Sequence, residues 1–401
     1  MADRPLRVAL VVGEESGDQL GASLIDAIRR QRPSASFFGL AGEGMVARGM
    51  TSLFPIADVA VMGLASIVAH LPRIVRRIYQ TVDEVLRWEP DILVIIDSPD
   101  LTHAVAKRIA RRRPDLPIVD YVSPSVWAWR PGRARRMTRY VDHVLALLPF
   151  EPDAHARLGG PPCTYVGHPL VEALGRLRAG EGERTPLDGN PVLVVLPGSR
   201  RTEISRLMAP FGETVGRIAQ LRPNVAILLP AVSHLEDEIK TRAAAWPVRP
   251  QIVLGEEAKF AAFRRAHAAL AASGTVTLEL GLAGVPMVVA YRVDPVARML
   301  KRFLTVPSIV LTNLVLGMNA VPEFLDDDAN PDVLARETLA LLSDGPVRAR
   351  QVEALCRLSE KMVLPDGGRP SDKAAEIVIE AAENGRGRRA ARLQRRPEIG
   401  T

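Results

Sequence analysis

Cysteine is almost missing from this chain: Cys163 and Cys356 are the two among 401 residues. Their scarcity excludes a disulfide framework and a cysteine metal site, and suits a reducing cytoplasm. Aromatic residues are also scarce at 4%, with four tryptophans, so the pair spent in YVSPSVWAWR (121–130) stands out. Long apolar runs are absent too. LRVALVVG and ILVII are strand-sized, far short of the about 20 residues a spanning helix needs. The charged start MADRPLR leads straight into a strand, with neither the apolar region nor the cleavage site expected of a signal peptide. No His/Cys/Asp constellation argues for a metal, and Asp326–Asp328 reads as a loop ahead of a helix.

Net charge is +6, but its location matters more than its size. Residues 386–401 hold six arginines and one glutamate, +5 of that total, which leaves +1 for the rest. The stretch GRGRRAARLQRR is therefore expected to be a disordered basic tail, weakly attracted to polyanions and no specific reader of nucleic acid.

What is present is alternation. RVALVV (7–12), ILVIID (92–97), IVDYV (118–122) and HVLALL (143–148) read as buried strands, separated by helical stretches such as 20–31 and 102–113. The segment 174–191, rich in Gly, Pro and charge, reads as a linker. Beyond it the strand pattern restarts at VLVVL (192–196). The expectation is an α/β protein of two Rossmann-like domains facing a cleft: 1–173, then 192–345, then C-terminal helices over 346–385 and the tail 386–401.

In open α/β sheets, ligands collect beyond the carboxyl ends of strands, where loops enter helices. Four junctions carry suggestive residues. GEESGD (13–18) is not G-x-G-x-x-G, and its adjacent carboxylates suit sugar hydroxyls better than phosphate. IIDSPD (95–100) ends a buried strand on Asp97, a candidate base for a hydroxyl proton, with Asp100 and His103 as rivals. LPGSRRTE (196–203) offers a helix start at Ser199 and the forked cation of Arg200 to a pyrophosphate, without a Walker lysine. ASGTVTLE (272–279) offers Ser273, Gly274 and Thr275 at a second helix start, with Glu279 one turn on for ribose hydroxyls. Together they suggest a transferase whose rear half holds a nucleotide-activated donor and whose front half holds the acceptor.

GEESGDQLGA, AGEGM, VMGL, IDSPD, YVSPSVWAWR, LPFE, VGHPL, LPGSRRTEI, ASGTVTLE, PMVVAYR and LTNLVLG follow one another in a recognisable order. In that order and spacing, over about residues 6–380, the chain resembles the lipid-A-disaccharide synthase family, inverting glycosyltransferases of lipopolysaccharide assembly. The resemblance implies the GT-B architecture, with C-terminal helices crossing back toward the first domain. It implies UDP-2,3-diacylglucosamine as donor and 2,3-diacylglucosamine 1-phosphate as acceptor, with no metal and no cofactor beyond the donor's UDP. It further implies peripheral attachment to the cytoplasmic side of the inner membrane, and a capacity for C-terminally swapped homodimers. Carried onto this sequence, its key positions fall on Asp97, Glu14, Arg200, Glu279 and Asn313, the last for nucleotide or donor sugar.

Departures stand at Ser66, where the family usually has glutamate, at Leu101-Thr102 in place of F-N, and at Asp326 in place of a common glutamine. A substrate pair with acyl chains needs a bilayer surface. Leu64, Ile67, Val68 and Leu71, followed by Arg73, Arg76 and Arg77, form an amphipathic basic helix expected to make that contact. Residues 121–136 are expected to line the acceptor-phosphate side.

Overall fold

In the computed structural model, which describes residues 4–59, 64–292 and 307–394 (backbone alone at 64–70 and 385–394), RVALVV forms the first strand. Its length is buried from Val8 onward because helices cover both faces of its sheet. Val8, Leu10 and Val12 pack on one face, and Ala9 and Val11 on the other, as the two-residue period of a strand requires.

The chain divides into two units, one built from the stretch up to Pro169 and again from Leu364, the other from Leu170–Val363. The first holds seven strands: β1 (Arg7–Val12), β2 (Ser36–Leu40), β3 (Thr51–Ser52), β4 (Ile92–Ile96), β5 (Ile118–Tyr121), β6 (His143–Ala146) and β7 (Cys163–Tyr165). They run parallel in the order β3-β2-β1-β4-β5-β6-β7, so the direction of winding reverses between β1 and β4. The second holds β8 (Val192–Leu196), β9 (Ala226–Ala231), β10 (Gln251–Leu254), β11 (Ala268–Ala272), β12 (Met287–Tyr291) and β13 (Glu323–Leu325). Their order, β10-β9-β8-β11-β12-β13, puts the reversal between β8 and β11. Both units are thus doubly wound parallel sheets, and each has one switch point at which loops from adjacent strands splay apart.

The boundaries differ from those expected in three ways. The polar stretch 174–191 is no free linker. It carries the short helix Leu174–Leu177, with Leu177 fully buried, and Arg184 donates to the carbonyls of Phe263 and Ala283 at 3.4 and 3.3 Å. A guanidinium can pin a loop by its carbonyls without any apolar residue, which is why the composition resembled a linker. The C-terminal helices also part company. Pro346–Met362 packs inside the second unit, whereas Pro370–Gln394 lies on the first, burying Ala374, Ala375, Val378 and Ala382 against the helix Glu15–Gln31. Arg32 clamps it through Glu383 at 2.6 Å, and Arg30 through Asp372. Lastly, that helix continues to Gln394, into the segment expected to be a disordered tail; residues 395–401 lie outside the described ones.

Candidate active site

The second unit has its switch-point loops, 197–200 after β8 and 273–275 after β11, on one cavity of about 520 Å³. Ser199, Arg200, Ser273, Gly274, Thr275 and Glu279 all line it. Gly274 sits at φ +152°, a conformation side chains rarely adopt, and a Cβ there would meet nothing within 4 Å, so the loop presents bare backbone. The hydroxyl of Ser273 spends its hydrogen on the carbonyl of Ile309 at 2.7 Å, which leaves the oxygen to act as an acceptor.

Two further side chains shape this cavity, and neither stood out in the sequence. Glu203 accepts the amide hydrogens of Ser199 and Arg200 at 3.0 and 3.2 Å, closing the start of the helix Arg201–Leu221. Those amides, expected to be open to an anion, are already satisfied. The signal was present as the acid three residues past the helix cap. Lys259, from the helix Glu256–Arg265, grips Glu279 at 2.8 Å and holds the carboxylate against the cavity wall. Nothing in the stretch around Lys259 announced that partner.

Asn313 has a different place from the one expected. It is buried outside the cavity lining, its amide donating to the carbonyl of Val321 at 2.9 Å and accepting from that residue's N–H at 2.8 Å. It also reaches Ser308 at 3.3 Å, beside the Ile309 carbonyl that holds Ser273. Asn313 thus braces the 308–309 segment to which Ser273 is hydrogen-bonded.

In the first unit, β1 and β4 end side by side, Val12 paired with Ile96, so the GEESGD loop meets the IDSPD loop. Asp97 and Ser98 both take left-handed backbone conformations, φ +54° and +42°. The hydroxyl of Thr102 fixes the bend by donating to the carbonyl of Asp97 at 2.7 Å. The bend turns the carboxylate toward the start of the neighbouring helix, where one oxygen accepts from the Ser16 hydroxyl at 2.9 Å and the other from the amide of Ser98 at 2.8 Å. Gly13 and Gly17 make this approach possible: a Cβ on Gly13 would fall 2.5 Å from that of Ser98. Glu14 stands exposed at the head of the helix, its side chain capping nothing.

The rival bases fare differently. Asp100 projects into solvent with 96% of its side chain exposed. His103 is buried, its Nε2 3.1 Å from Asp120 and its Nδ1 2.9 Å from the Tyr140 hydroxyl, so both ring nitrogens are engaged.

Relatives decide the family. A profile of the lipid-A-disaccharide synthetase family matches residues 8–369. A lipid-A-disaccharide synthase of Nitrobacter hamburgensis is 52% identical over 96% of this chain and 98% of its own length. The chain belongs to the lipid-A-disaccharide synthase family. Among solved structures it is similar to the glycosyltransferase of kitacinnamycin (TM-score 0.62, 19% identity, 94% of this chain and 99% of that one). It is also similar to a UDP-GlcNAc 2-epimerase of Neisseria meningitidis bound to UDP-GlcNAc (TM-score 0.58, 12% identity, 94% and 99%). At such identities these two share the fold alone, which is the GT-B architecture of two parallel-sheet units. As a member of the synthase family the chain is an enzyme, a glycosyltransferase of lipid A assembly.

The tryptophan segment divides its work. Trp127 packs edge-on against Phe150 and donates its indole N–H to buried Glu151 at 3.0 Å. Burial pushes the Glu151 carboxyl up to about 7, against the pull of Trp127 and the backbone amides of Leu148 and Leu147. Trp129 instead is exposed, with the Arg130 guanidinium 4.1 Å from its ring centre.

On the helix Leu64–Trp88, the side chains of Leu64, Ser66, Ile67 and Val68 lie outside the described residues. Leu71, Val75 and Tyr79 are exposed at four-residue spacing, while Ile78, Val82 and Val85 on the other face enter the core. Arg73 and Arg77 both pair with Asp58, and Arg77 also lies over the Phe54 ring at 4.4 Å. Among the described residues, no helix is long and apolar enough to cross a membrane.

Proposed function

We propose that the enzyme transfers 2,3-diacylglucosamine from UDP to the 6-hydroxyl of 2,3-diacylglucosamine 1-phosphate, giving the β(1→6)-linked lipid A disaccharide 1-phosphate and UDP with inversion. The family match carries this reading. Its chemistry draws support from one observation, the carboxylate of Asp97 oriented by Ser16 at the end of β4.

Asp97 takes the proton of the 6-hydroxyl. That oxygen forms its bond to the anomeric carbon as the carbon–oxygen bond to UDP breaks, and UDP leaves with the electron pair. General-base assistance of this kind contributes on the order of 10²–10⁴-fold. Arg200 and the backbone of the 273–275 loop balance the pyrophosphate's growing charge, and they act without a metal. Glu279, held by Lys259, accepts hydrogen bonds from the ribose, Ser199 lines the phosphate side, and Glu14 orients sugar hydroxyls. Asn313 acts indirectly, by positioning Ser273. The exposed Leu71, Val75 and Tyr79, flanked by Arg73 and Arg76, support docking on the cytoplasmic face of an anionic inner membrane, where both acylated substrates lie.

The test is to supply the purified protein with both lipids and weigh the product. A mass equal to the disaccharide 1-phosphate, formed at the same rate in excess chelator, is the expected result. Turnover of UDP-GlcNAc in place of the acylated donor would overturn it.

A further inference from the structure

A second cavity, of about 730 Å³, lies wholly within the first unit. Lys107 and Arg111 reach it from the helix Pro99–Arg112, Arg133 and Arg136 from Gly132–Met137, and Arg130 and Arg139 from the flanking turns. Among the residues lining it the sole acid is Asp100, whose exposed carboxylate touches Arg133 at 3.4 Å. So many cations around one hollow repel each other. The Lys107 ammonium is held below the ordinary lysine range, first by partial burial, then by Arg133, Arg136, Arg108 and Arg111. Such a cluster is unfavourable until a multivalent anion fills it.

The cavity is also built to stay open. Tyr140 forms part of its wall, with its ring under Lys107 at 5.2 Å and its hydroxyl tied to His103, which Asp120 holds in turn. Every member of that chain is buried, so the wall cannot collapse onto the cations. Its near end lies by the catalytic bend. Arg133 donates to the carbonyl of Pro99 at 3.3 Å, the residue that directly follows the Asp97–Ser98 turn.

The geometry points to this cavity as the receptor for a phosphate monoester on the acceptor saccharide. The inference deepens the proposed function and rests on it, for a hexosamine carries its 1-phosphate and its 6-hydroxymethyl arm on the two carbons that flank the ring oxygen, so both groups lie along one edge of the sugar. A base at Asp97 and a cationic well that begins beside the same bend can meet both groups of one sugar. Arg133, Arg136 and Lys107 would then set both affinity and orientation, choosing a phosphorylated sugar over its neutral counterpart.

The experiment compares wild type with Lys107→Gln/Arg136→Gln, whose unchanged circular dichroism checks the fold. Wild type should use the phosphorylated acceptor with at least about tenfold higher kcat/KM than the same lipid without phosphate, the factor one charge-assisted contact supplies. The double variant should lose that preference through KM, with the KM for donor unmoved. A wild type that does not discriminate, or a variant that still does, overturns the assignment. Titration with glucosamine 1-phosphate, followed by tryptophan fluorescence, reads the cavity independently of turnover. Saturable binding that the variant loses supports the assignment even if transfer itself fails; no binding to wild type overturns it. A variant that keeps glucosamine 1-phosphate but no longer sediments with phosphatidylglycerol vesicles would give the cavity to bilayer headgroups instead, and overturns it equally.

Discussion

Ser16 gives its hydroxyl hydrogen to Asp97 across 2.9 Å, joining the first turn of the helix that follows β1 to the loop that leaves β4. Asp97→Asn should therefore lower kcat by about 10²–10⁴-fold with little change in melting temperature, because an amide cannot accept the acceptor's proton. Ser16→Ala removes only an orienting bond and should cost far less, about tenfold or under, from a hydrogen bond to a charged group. Equal losses in the two variants would contradict the base assignment.

Glu279→Gln should raise the KM for the UDP donor and leave the KM for acceptor alone. Lys259→Met should do the same by a second route, freeing Glu279 to leave its place on the cavity wall. Isothermal titration with UDP isolates the effect from chemistry, and the expected loss is about tenfold for either.

Glu203→Ala opens the amides of Ser199 and Arg200. Loss of the cap should lower stability by about 0.5–2 kcal/mol, read from denaturant midpoints. UDP affinity should hold or rise, since an acid beside the phosphate side is removed.

Glu151 carries a pH signature. Its folded pKa of about 7 lies above the ordinary 4.5, so its favourable contribution is full below pH 4.5 and disappears as pH rises to about 7. Glu151→Gln should flatten stability across that window while lowering it overall, since Gln leaves one of the amides that the carboxylate now satisfies without an acceptor. Thermal melts from pH 4.5 to 8 compare the slopes.

Leu71→Ser with Val75→Ser should weaken sedimentation with anionic vesicles without unfolding the protein, because both side chains are exposed. Arg73→Glu with Arg76→Glu should act alike and become invisible at high salt. Arg77 is the poorer choice, since stacking on Phe54 and pairing with Asp58 give it a structural share.

Much of this was legible from residue order. Strand runs bounded by small-residue turns identified both sheets, and the loops after VVG, IID, LPG and AAS proved to be the switch-point loops. Local pattern could not reveal partners brought together by folding: Lys259 for Glu279, Asp120 and Tyr140 for His103, and the carbonyls around Arg184. The surroundings of Asn313 were hidden for the same reason. Its side chain is spent on Val321, a turn that only the folded chain brings within reach.

The helix Pro370–Gln394 completes the core begun by Val8, Leu10 and Val12. On the ribosome, then, the first unit must wait with part of its apolar core uncovered, beside the helix Glu15–Gln31, while the middle of the chain is synthesised and closes on itself. The protein finishes folding where it started, and a nascent chain arrested before Ala374 would offer that exposed strip to chaperones.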